Sequence, residues 1–331
     1  MKKLIYFFVV TFLVLSTSAY SQWTLSGGVV GAGTSPSISV CSPTCAWIAG
    51  GATTPIIYRT TNGGTTWTAV GTTGLQVKAV WCVWAVDSLT AYVGDGGDAA
   101  GATGGDATLS KTTNGGVSWT AVANTGGTAG FINGVIFSRT NPQFGFAQSD
   151  PPNGAGQVYW IKKTTDGGTT WTTQSPTGVS GAASAQNGLF MIDGNFYGFG
   201  LNAAPSRGRY TTDGGTTWSL ATLGITGGFV SSMAFHDNKL VGCAATGDAS
   251  GSSLPTISRT TNGGATWTAI NTGLTFTAVH ALAIDAAGSV YAGTFGGGVY
   301  KTTNAGAQWN QLPVGYDFAW SLGITNDQTI I

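Results

Sequence analysis

The sequence predicts an all-β protein, a single β-propeller of four-stranded blades, and three observations carry that prediction. The first is an eight-residue phrase, Thr-Thr-Asn/Asp-Gly-Gly-x-Thr-Trp with small variations. It occurs six times, at Thr60–Trp67, Thr112–Trp119, Thr164–Trp171, Thr211–Trp218, Thr260–Trp267 and Thr302–Trp309. The second is its period: the closing tryptophans lie 52, 52, 47, 49 and 42 residues apart, the spacing of stacked supersecondary units. The third is the pattern between copies, where alternating apolar residues are bounded by Gly, Asp and Asn clusters and no helical period appears.

The chain opens with Lys2 and Lys3, an apolar run from Leu4 to Leu15, and Ala19-Tyr20-Ser21 as a small-x-small cleavage site. That run is short for a bilayer span, so residues 1–21 are expected to be a secretory signal peptide and 22–331 the propeller. No later stretch is apolar enough for a transmembrane helix. An exported protein without membrane insertion follows, expected as a monomer. Without Lys2 and Lys3 the chain carries 11 basic and 13 acidic side chains, and 8% of all residues are charged. There is no basic footprint for nucleic acid. All 13 acidic residues are aspartates.

Blade six shows one unit best. Strand A is FTAVHALAID, a turn begins at Asp285, strand B is SVYAGT and strand C is GGVYKTT; AQWNQL follows the box as strand D. In each box, Asn or Asp before glycine favours a tight hairpin, because glycine tolerates positive φ and the Asx side chain bonds nearby amides. The tryptophan is expected to open strand D and pack on the neighbouring sheet. Asn62, Trp67, Asn114, Trp119, Asp166, Trp171, Asp213, Trp218, Asn262, Trp267, Asn304 and Trp309 are therefore read as structural box residues.

The phrase resembles the Asp-box, or BNR repeat, of sialidases, sortilin-type receptors and photosystem II assembly-factor propellers. A basic residue stands before five of the six boxes (Arg59, Lys111, Lys163, Arg259, Lys301), which makes it most similar to the assembly-factor type. The resemblance covers nearly the whole mature chain and implies four-stranded blades with the box on the C–D turn. It also implies that basic residues contribute to partner binding; the alternative is a stem packed on the blade with its head in water. Signal and repeat style resemble exported proteins of the Bacteroidota.

After the sixth box, DFAWSLGITNDQTII reads as strand A of a further blade and the start of its strand B. Gln22–Leu25 resembles a strand D without its own sheet. Seven blades are expected, the last incomplete and shared between the chain ends, with on the order of 20–30 residues to follow Ile331.

Blade topology puts A–B and box turns on one face and the B–C loops on the other. Asp87, Asn141, Asp193, Asp237, Asp285 and Asp327 are turn formers on the box face. The B–C loops vary from blade to blade, and variable loops on a rigid scaffold are where binding residues sit. Asp95, Asp98, Asp106, Asp150 and Asp248 are candidates there, with Asp317 as a further carboxylate. His280 and Trp320 lie near the channel mouth on the same side, either packed or free to stack on a sugar. Residues 94–107 hold three aspartates that suit calcium, although no EF-hand spacing is present. Cys41 and Cys45 flank a short turn and either pair or stay reduced; with two histidines in the chain, a zinc set is not completed. No motif for a cofactor appears.

The functional expectation is a non-catalytic propeller that binds an unknown protein or glycan through its B–C face. The alternative is a polysaccharide-active glycoside hydrolase using two aspartates. A sialidase is disfavoured, because such enzymes use a glutamate to activate a tyrosine and this chain has none. Five arginines are present, and Arg59, Arg139 and Arg259 fall on the box side.

Overall fold

The computed structural model describes residues 37–51, 53–96, 106–128, 130–176, 180, 187–201, 208–224, 229–247, 257–275, 278–313 and 318–324. The signal segment, Asp98, Asp248 and Asp317 lie outside the described residues. Every regular element described is a strand, and the strands form six four-stranded antiparallel sheets, each in chain order from A to D. The inner A strands are Ser37–Ser42, Ala79–Ala85, Ile132–Phe137, Leu189–Met191, Phe229–Phe235 and Val279–Ile284. Among the described residues no helix is long and apolar enough to cross a membrane.

The core is not one centre but a series of seams between blades. The first joins Trp47, Ala49 and Ile57 of blade one to Val80, Val83 and Val93 of blade two, and the box residue Trp119 closes it. Trp171, Trp218, Trp267 and Trp309 close the next four seams in the same way. These five box tryptophans thus wedge between their own blade and the one before, while Trp67 packs on Val40 and Ala46 of its own blade. Trp119 meets Trp47 edge-on at 6.1 Å and donates Nε1–H to the Gly71 carbonyl at 2.9 Å. Trp309 donates to Ile270 at 2.6 Å. Trp67, Trp119 and Trp309 are buried, whereas Trp171, Trp218 and Trp267 are half-buried. The tryptophan precedes strand D instead of opening it, and D is a two-residue strand in every blade except the second.

The box is a closed hydrogen-bond circuit. In all six copies the first threonine donates its hydroxyl to the Asx Oδ1 at 2.8–2.9 Å. That same hydroxyl oxygen accepts the amide of the second glycine. The Asx oxygen also accepts the amide four residues on. The first glycine has φ of 66–75° in five boxes, and in all five its amide donates to a carbonyl in the A–B turn of its own blade. Ala305 holds the equivalent place in the sixth box at φ 61°, a conformation that costs an L-residue strain.

The basic residue before the box does not hold its head in water. Lys111 Nζ donates to the Gly167 carbonyl at 2.8 Å and Lys163 Nζ to Gly214 at 2.8 Å, each in the next blade's box. Arg59 donates to Ser88 at 2.6 Å in the next blade's A–B turn. These side chains fasten neighbouring blades. Tyr210, the exception to the basic pattern, packs against the next box at Gly264.

Six boxes support six C–D hairpins, so the described residues form six complete sheets and not seven. Between the sixth and first blades lies a single extended segment, residues 318–324. Ala319 donates its amide to Thr294 at 3.0 Å, and Phe318 bridges to Phe295. On the other side Ser321 Oγ accepts the Ile38 amide at 3.4 Å, and Gly323 packs on Val40. Inner-strand serines make the same link elsewhere: Ser39 accepts from Ala85, and Ser232 from Leu282, each in the following blade.

Candidate functional site

The inner strands surround a central channel with two unlike mouths. On the B–C side four inner strands carry a bulge at equivalent positions, and the extra residue is Trp81, Asn133, Ser231 or His280. A bulge re-aims the side chain it displaces. By this register Ser231 of blade five is the equivalent of His280.

His280 gathers the aromatic groups of this mouth. Its ring lies 4.3 Å from Trp320 and 5.9 Å from Phe295, and Phe295 meets Phe318 at 4.7 Å. Phe295 is 40% exposed and Phe318 53%, so both rings present apolar surface to solvent. Asn187 anchors the cluster by donating Nδ2–H to the carbonyls of His280 at 2.9 Å and Trp320 at 3.0 Å. The His280 Nε2 is buried without a hydrogen-bond partner among the described residues. Burial lowers the pKa of this imidazole, which favours its neutral form. Of the residues singled out from sequence, the fold brings His280 and Trp320 together. Phe295, Phe318 and Asn187 were not singled out; the readable signal was a phenylalanine stranded in the Gly-rich loop Thr294-Phe295-Gly296-Gly297.

The described B–C-side carboxylates Asp95, Asp106 and Asp150 are tied into their own blades. Asp95 is 4% exposed and accepts the Thr108 amide at 2.7 Å, while burial pushes its pKa up to about 6. Asp106 accepts from Asn124 Nδ2 and the Gly126 amide, both at 2.8 Å, and its carbonyl receives the Lys78 ammonium. Asp150 accepts from Asn133 Nδ2 at 2.6 Å. Among the described residues no three His, Cys, Asp or Glu side chains form a group able to hold a metal. Most of the 94–107 stretch considered for calcium lies outside the described residues.

The box face is built of turns that satisfy themselves. Asp87 and Asp193 each accept two amides of their own turns, and in blade five Asn238 does this instead of Asp237. Threonine amides and hydroxyls hold Asp166 and Asp213 at pKa values of about 2. Cys41 and Cys45 are joined by a disulfide across the first A–B turn. Cys82 and Cys243 are buried free thiols.

Residues 209–220 match the BNR/Asp-box repeat. With six such boxes on six four-stranded sheets, the chain is a BNR/Asp-box β-propeller. Its repeats and fold are similar to those of the photosystem II assembly factor YCF48. YCF48 from Cyanidioschyzon merolae superposes with a TM-score of 0.61 at 15% identity, covering 92% of this chain and 93% of that one. YCF48 bound to D1 peptide gives 0.55 at 15%, covering 86% and 82%. An ancestral GH74 enzyme gives 0.61 at 19%, covering 88% of this chain; the chain spans 40% of that enzyme's length. No curated protein sequence matches the chain. Identities this low establish the fold and leave the ligand to the site itself.

Proposed function

We propose that this chain is an exported, non-catalytic propeller that binds a glycan or an apolar protein segment on its B–C face, at the mouth formed by His280, Phe295, Phe318 and Trp320. The observation that carries the reading is the pair of exposed phenylalanines, 40% and 53% accessible, backed by a tryptophan and a neutral imidazole. Exposed apolar surface rimmed by polar groups marks interaction sites, and flat aromatic rings stack on sugar faces or apolar side chains. YCF48 with its D1 peptide is a propeller of similar fold that binds a protein segment. We assign the extended segment 318–324 to a seventh blade, with the Ser321–Ile38 bond as its link to blade one. Export rests on the signal-like residues 1–21.

The test is to titrate the mature protein with soluble oligosaccharides and with apolar peptides, following tryptophan fluorescence and reducing-end release together. Binding that falls at least tenfold in F295A/F318A, without release of reducing ends, supports the reading. Reducing-end release would support the second reading, a hydrolase.

A further inference from the structure

The channel's other mouth, on the box side, carries a cation that neither the boxes nor the aromatic cluster uses. Arg139 follows the inner strand of blade three, Ile132–Phe137. Its guanidinium lies 3.9 Å from the Trp84 ring centroid in blade two. One N–H reaches the Ala85 carbonyl at 3.4 Å, a long bond. The remaining N–H groups have no acceptor among the described residues, and no described carboxylate pairs with this arginine. Solvent reaches the side chain, yet the surrounding wall desolvates it enough to push its pKa down to about 10.

Arg139 lines a channel cavity of about 230 Å³. Among the described lining residues the other ionisable group is the Cys82 thiol, which burial pushes up to about 12 and so keeps neutral. Of these residues, a bound anion would meet one positive charge and no negative one. Val40, Ile136, Ile192 and Ile324 form apolar wall at the same end of the inner strands. The lining serines 39, 232 and 321 already accept amides from the neighbouring blade, so they do not call for a polar ligand. A planar guanidinium matches a carboxylate through two parallel hydrogen bonds. The cavity lies below the roughly 300–1,000 Å³ of drug-sized sites, which limits the guest to a small molecule.

We propose that the box-side mouth of the channel binds a small aliphatic monocarboxylate, its carboxylate paired with Arg139 and its chain lying on the apolar wall. Asn187 lines the same cavity and anchors the aromatic cluster, but the carboxylate's contacts are with Arg139 and not with the aromatic rings.

Calorimetric titration of the folded protein with hexanoate, and with hexanol as the uncharged analogue, tests it. The expected result is hexanoate binding at least tenfold tighter than hexanol, weakened at least tenfold in R139Q and in R139K, and unchanged in F295A/F318A. R139K keeps the charge but removes the planar fork, and it serves as the reading should R139Q fail to fold by circular dichroism. Hexanoate binding no tighter than hexanol, equal binding by R139K and the parent, or loss of binding in F295A/F318A would each overturn the proposal.

Discussion

The six box turns and the B–C mouth are made from the same small vocabulary of glycine, threonine and aromatic residues, yet they spend it in opposite ways. In a box the threonine hydroxyl, the Asx carboxyl or amide and the glycine amide all bond one another, and the tryptophan is drawn into a seam. Nothing is left for a ligand. At the B–C mouth the bulged His280 has a nitrogen with no partner among the described residues, and Phe295 and Phe318 keep part of their rings in solvent. Repetition built the scaffold, and the departures from repetition built the surface that can recognise something else.

If that contrast holds, damage to a box should be large in stability and damage to the mouth small. Trp309 is 1% exposed and closes the seam between blades five and six, so W309A should cost about 3–5 kcal/mol in urea unfolding. W171A, at a half-buried box, should cost less. A W171A loss equal to that of W309A would show that burial is not what sets the value of these side chains.

The sixth box offers a gain in place of a loss. Ala305 sits at φ 61° where the other boxes have glycine, and A305G should stabilise by about 0.5–1 kcal/mol by relieving left-handed strain. A destabilised A305G would contradict the strain argument.

Two kinds of carboxylate should also part company with pH. Asp166 and Asp213 have folded pKa values of about 2, below the model value of 3.8, so their contribution is present above 3.8 and lost as pH falls through 2. D166N/D213N should show a shallower fall in melting temperature between pH 4 and pH 2 than the parent. Asp95 has the opposite sign. Its folded pKa is raised from 3.8 to about 6, so ionising it opposes folding increasingly as pH rises through that window. D95N keeps an oxygen for the Thr108 amide, and its melting temperature relative to the parent should rise from pH 4 to pH 7.5. A pH-independent difference would mean that Asp95 is not desolvated as described.

Damage to the mouth should cost less than damage to a buried seam: F295A/F318A should destabilise by about 0.5–1.5 kcal/mol, the worth of the aromatic contact it removes.

Much of the scaffold was legible in the sequence because box chemistry is local. Thr164, Asp166 and Gly168 form their circuit within five residues, so the motif alone implies the turn. The blade count was harder to read. The tail after Trp309 alternates as a strand should, but whether it becomes a full sheet depends on partners far away in sequence, such as Ile38. The candidate site was legible only in part for the same reason. His280 and Trp320 stood out as residues, whereas their meeting with Phe295, Phe318 and Asn187 requires the bulge and a hydrogen bond spanning 133 positions. The role of Lys111 and Lys163 was misread because their acceptors lie in the next repeat.

The most direct test of the account is hydrogen exchange on the mature protein, with and without whichever oligosaccharide or peptide of the titration series binds. The account predicts new protection confined to residues 278–297 and 318–322, with the six box turns unchanged. Protection appearing in the box turns, with the aromatic mouth unaffected, would contradict it.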